Sequence, residues 1–143
     1  MASPTLTLIA LAWATGASAQ SILSTRESPA DRRYRIFWAS IGRDQGAVFR
    51  EAARLRLTEP IDDLHASLLS RAYFQTHFGA CGGADRPVDR GPYWSCKTAW
   101  GYDATPGPEI RIDKRTGAAY VPGGRKVFPQ SYRVTLQKMG HGR

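Results

Sequence analysis

The spacing of apolar residues changes partway along the chain. Early on they recur every three or four residues. Tyr34, Phe37, Trp38 and Ile41 fall at i, i+3, i+4 and i+7, which predicts one buried face of a helix over Arg32–Ile41, with Gly42 ending or interrupting it. Val48, Ala52 and Leu55, with Phe49 beside them, repeat the pattern between Asp44 and Leu57. Ile61, Leu64, Leu68 and Ala72, widened by Leu69, Tyr73 and Phe74, predict a third helix reaching about His77. Thr58 or Glu59 is the expected cap of that helix. Pro60 suits its first turn, and Asp62 and Asp63 suit the positive end of its dipole.

From Tyr93 onward the period drops to two, the signature of half-buried strands. Trp94, Cys96, Thr98 and Trp100 alternate with Tyr93, Ser95, Lys97 and Ala99, so one continuous strand is expected. Ile110 and Ile112 alternate with Glu109, Arg111 and Asp113, and Ala119, Tyr120 and Val121 read as a return strand. Between them, Asp113 bonds the backbone ahead of it and Gly117 supplies a positive φ, closing a tight hairpin. Tyr132, Val134 and Leu136 alternate with Arg133, Thr135 and Gln137, which predicts a last strand. The Gly- and Pro-rich stretch from Phe78 to Pro92 reads as a loop.

Helices followed by strands give an α+β fold class: N-terminal helices packed on one face of an antiparallel sheet of about four strands. The expected organisation is a single domain over residues 31–138, after a flexible lead at residues 20–30 and before a basic tail at residues 139–143. Residues 1–19 read as an export signal. Leu6–Ala14 is almost wholly apolar, and Ala17-Ser18-Ala19 fits a cleavage site before Gln20. That run is too short to span a bilayer as a mature helix. The expected location is therefore periplasmic or secreted, with no membrane span.

Export changes how the cysteines read. Cys81 and Cys96 are the two in the chain, and an oxidising compartment favours their pairing in one disulfide. Such a bridge would add about 3 kcal/mol in the chain-entropy model. The competing reading is two reduced, buried thiols. Two cysteines do not by themselves make a tetrahedral zinc site. His65 and His77 lie twelve residues apart on the third helix, too far along its axis to share a metal. No metal and no cofactor are expected.

The net charge of +8 predicts attraction to acidic surfaces. The arginines and lysines are scattered, so specific nucleic-acid binding is not expected. Aromatics beside cations mark protein interfaces as well as sugar and wall-polymer sites. On that basis Tyr93, Lys97, Tyr102, Arg111, Lys114 and Arg115 are the candidate partner-binding residues. The expected partner is an acidic protein, with a cell-wall polymer as the other possibility. No catalytic motif appears. There is no nucleophile elbow, phosphate loop or dinucleotide fingerprint. The residue types of a basic ribonuclease (Glu109, Arg111, His77, Tyr120) are present without a motif to arrange them.

The Tyr93-Trp94 strand followed by Ile110-Arg111-Ile112-Asp113-Lys114-Arg115-Thr116-Gly117 resembles the NTF2-like (cystatin-like cone) class over about residues 60–121, in particular the bacterial NTF2-fold immunity proteins. The resemblance implies a small binding protein that neutralises a partner and carries over no catalytic residue. An NTF2-like enzyme or ligand-pocket protein is the alternative. It would need a polar pair inside the cone, for which Tyr73, Tyr102 and Asp113 are the available types.

Overall fold

The computed structural model describes residues 26–42, 44–56, 59–79, 82–84 (backbone only), 86–101 and 103–140. The expected export segment, Cys81, Tyr102 and the last three residues of the tail lie outside them.

Among the described residues three helices come first: α1 (Pro29–Ile41), α2 (Gln45–Arg54) and α3 (Asp63–Phe78). Each start is a side-chain cap on an otherwise orphaned backbone N–H. Ser28 accepts from Asp31, Asp44 from Ala47, and Asp62 from His65. The cap of α3 is thus Asp62, not Thr58 or Glu59, and Pro60 precedes the helix. α1 begins inside the segment expected to be a flexible lead. It ends at Gly42, whose φ of 83° is accessible to glycine at little cost.

Seven strands follow among the described residues: β1 (Gly82–Ala84), β2 (Val88–Asp89), β3 (Tyr93–Cys96), β4 (Thr98–Trp100), β5 (Thr105–Pro106), β6 (Ile110–Asp113) and β7 (Ala119–Tyr120). They form an antiparallel four-stranded sheet in the order β2-β3-β6-β7 and a smaller sheet in the order β1-β4-β5. The stretch expected as one strand from Tyr93 to Trp100 is interrupted at Lys97, and its halves enter different sheets. The stretch expected as a loop before Pro92 supplies β1 and β2.

The last described element is a helix, α4 (Ser131–Gly140), where the alternation of Tyr132, Val134 and Leu136 predicts a strand. This correction has a physical reason. Only Tyr132 of α4 is buried, and it stacks on Phe49 of α2 with ring centroids 5.8 Å apart. Val134 remains 51% exposed, so the alternating residues do not share a buried face. The helix docks on α2, where Arg133 donates to the Ala53 carbonyl near the C-terminal end of that helix.

The core lies between α3 and the larger sheet. Leu68, Leu69, Ala72, Tyr73 and Phe74 of α3 meet Cys96, Ile110, Ile112 and Ala119 of the strands, with Val48, Phe49 and Ala52 of α2 behind. Burial on nearly every side explains why α3 is so apolar. By contrast α1 buries no residue fully. Its Phe37, Trp38 and Ile41 are half-buried, and Arg33 pairs with Asp62 and Asp63. These ion pairs are exposed and contribute at most about 1 kcal/mol each.

No disulfide occurs among the described residues, and Cys81, one half of the expected Cys81–Cys96 pair, lies outside them. Cys96 is a free, fully buried thiol of the core cluster. Burial pushes the Cys96 thiol up to about 12, so it stays protonated.

Candidate functional site: the open face of the sheet

The register of the larger sheet sorts its residues into two sets. Trp94, Cys96, Ile110, Ile112 and Ala119 point toward α3. On the opposite face Ser95 pairs with Arg111, Arg111 with Tyr120, and Tyr93 with Asp113. Among the described residues no helix packs on this second face. It carries two aromatic rings, each with a cation stacked on it. The Arg111 guanidinium lies 4.7 Å from the Tyr93 ring centre, and Lys126 Nζ lies 5.3 Å from that of Tyr120.

Arg111 is held in place from one side. Glu109 accepts from Arg111 Nη2 at 3.3 Å and from the Ser95 hydroxyl at 2.6 Å. The Ser95 bond, and then Arg111, hold the Glu109 carboxyl below the usual glutamate range, against burial. Arg111 Nε has no acceptor among the described residues. A guanidinium presents five donors in a fixed fork, and the Arg111 side chain is 31% exposed, so its outer donors can meet an anion arriving at this face.

The beginning of this face is fixed by the hairpin. Asp113 Oδ1 accepts from the backbone N–H groups of Arg115 and Thr116, and Gly117 closes the turn at φ 66°. Burial raises the Asp113 pKa, but the bonds from Thr116 and Arg115 outweigh it and leave the carboxyl below its ordinary value. The segment leading into α3 is sewn to the same hairpin. Ile61 N–H donates to the Lys114 carbonyl, and the Trp94 indole donates to the Ile61 carbonyl.

Of the candidate partner-binding residues, the open face brings together Tyr93 and Arg111. Lys114 is engaged in the scaffold: its ammonium sits 4.5 Å from the Trp94 ring centre and pairs with Asp89. Arg115 stands exposed at the hairpin tip, Lys97 is exposed at the break between β3 and β4, and Tyr102 lies outside the described residues. Sequence reasoning missed Tyr120 and Lys126 as members of this face. Period-2 alternation from Arg111 across the turn would have placed Tyr120 beside it. Tyr73 is buried in the core and stacked on His77, and Asp113 is engaged in the turn, so these two do not form a polar pair in a cavity. No group of three or more potential metal-ligating side chains occurs among the described residues, and no helix there is long and apolar enough to cross a membrane. No family model, curated protein or solved structure matches the chain.

Proposed function

We propose that this is an exported binding protein of the inhibitor or immunity type, which uses the open sheet face to hold an acidic segment of a partner protein. One observation carries this reading: Tyr93, Arg111, Tyr120 and Lys126 lie together on the face that the helices leave uncovered. Tyr and Arg dominate the energetics of protein interfaces because they offer large, stiff contact area with a polar end. The partly exposed Arg111 guanidinium and the net charge of +8 favour an acidic partner. The N-terminal export pattern is consistent with a partner met outside the cytoplasm. Helices preceding a sheet, with one long helix against its inner face, agree with the NTF2-like resemblance, which stays part of this proposal.

The test is capture of secreted and envelope proteins by the chain from Gln20 onward, compared with two charge reversals. Arg111→Glu should abolish capture of a stoichiometric partner, and added salt should weaken it. Arg50→Glu, exposed on α2 away from the sheet, should leave capture intact. Capture that survives Arg111→Glu would overturn the assignment of the face.

A further inference from the structure

The open face carries its ring and cation pairs as a repeat. Tyr93 with Arg111 is one unit, and Tyr120 with Lys126 is the next. Arg111 stands opposite Tyr120, and the Ala119–Val127 bridge brings Lys126 opposite Tyr120 on the other side. Arg111 and Lys126 are therefore two strand spacings apart, about 10 Å, on a line across the strands. Both lean toward the β3 side, Arg111 onto Tyr93 and Lys126 onto Tyr120, which keeps that spacing at the charged ends. Arg111 is partly exposed and gives a donor to Glu109, while Lys126 is exposed and enters no ion pair among the described residues. Apolar side chains continue the face at both margins. Val88, paired with Ser95, is 47% exposed on the β2 side. Val127 packs on the core, so alternation turns its neighbours Lys126 and Phe128 to the open side, and Phe128 is 44% exposed.

This spacing discriminates between backbone conformations of a segment lying on the face. An extended chain laid across the strands presents same-side residues about 6.7 Å and then about 13 Å apart, so its carboxylates meet one cation and miss the other. Laid along the strands, it passes only one of the two. An α-helix rises about 1.5 Å per residue, so residues i and i+7 lie on one side about 10.5 Å apart. One helical turn of about 5.4 Å accompanies each strand step of about 4.8 Å. Residue i+4 then falls on the Tyr120 ring between the two cations, and residues i−3 and i−7 fall toward Tyr93 and Val88.

We infer that the segment held by the open face is an amphipathic α-helix of about four turns lying across the strands. Its carboxylates, seven residues apart, meet Arg111 and Lys126, and its apolar residues meet Tyr120, Tyr93 and Val88. The inference rests on the reading of this face as the site for an acidic protein segment, and adds the conformation and register of that segment.

The test is binding of the full chain to labelled, alanine-rich peptides of about 18 residues, followed by fluorescence anisotropy. The first carries glutamates at i and i+7 and leucines at i−7, i−3 and i+4. The second has the same composition with the later glutamate at i+5, which turns it away from the shared face. The third is the first with two interior prolines, which break the helix and keep the charge. The inference expects the first to bind at least about tenfold more tightly than the other two, and to lose that advantage against Lys126→Glu, a change of an exposed side chain. A peptide with lysine at i+7 should regain binding to Lys126→Glu and not to Arg111→Glu. Equal binding of the three, tightest binding by the proline peptide, or binding of none would overturn the helical inference. Arg111-dependent capture of a protein would survive each of these, so the acidic-segment reading fails separately, when Arg111→Glu leaves capture unchanged. Binding of soluble cell-wall polymer, with none of the peptides, would overturn both.

Discussion

Arg111 and Ile112 are neighbours in the chain and live in different surroundings. Ile112 is fully buried under α3, between Trp94 and Ala119 across the strands. Arg111, one residue earlier, lies on the open face against Tyr93, with Glu109 as its partner. One strand therefore answers two demands. The inner set is fixed by volume and by exclusion of water. The outer set has only to remain compatible with β structure, so its chemistry is free to serve recognition. Asymmetry of this kind marks the outer face as the place to look for function.

The comparison breaks first if the faces do not differ in stability. Ile112→Ala should cost about 2–5 kcal/mol in urea unfolding, whereas Arg111→Ala should cost about 1 kcal/mol or less. Equal losses would mean that the open face is structural. A second substitution sharpens how the inner layer ends. A Cβ at Gly107 would lie 2.4 Å from Thr98 Oγ1 and 3.0 Å from Trp100 Nε1. Gly107→Ala should therefore lower stability by about 1–3 kcal/mol, measured by the same unfolding curve.

Cys96 tests the inner face chemically. In a Cys81→Ser background its buried thiol should react with a thiol reagent only as fast as the protein opens, and denaturant should accelerate the reaction. Cys81→Ser itself should change stability by no more than about 0.5 kcal/mol. The loss of about 3 kcal/mol expected from removing a disulfide would restore the bridge. The smallest effect concerns pH. The Asp113 pKa is depressed in the folded state, so its ionised form stabilises the hairpin above the ordinary aspartate value of 3.8. That contribution is lost as pH falls through and below this value. Asp113→Asn should flatten the acid limb of the stability curve, and an unchanged limb would remove Asp113 from the account.

Much of this was legible in the sequence. The stripe of Tyr34, Phe37, Trp38 and Ile41 marks the side of α1 that packs inward, and Ile36, outside the stripe, is 52% exposed. The Asp113–Gly117 turn formed as its residue chemistry requires, because the bonds are local. Where the outcome depended on distant partners, the sequence was silent. The alternation of Tyr132, Val134 and Leu136 was overridden by the docking of Tyr132 on Phe49. Nothing near Lys97 announces that its two flanks join different sheets. For the open face, Tyr93 and Arg111 were found by residue type, as aromatic and cationic side chains on strand-patterned stretches. Tyr120 and Lys126 were missed because the hairpin brings them near.

The most direct measurement is photo-cross-linking from the open face. A benzophenone side chain would replace Tyr120 in one version of the chain and Arg50 in another, each exposed to a mixture of envelope and secreted proteins. The account predicts one dominant protein adduct from position 120, weakened by salt and by Arg111→Glu, and none from position 50. No adduct from position 120, or the same adducts from both positions, would contradict it.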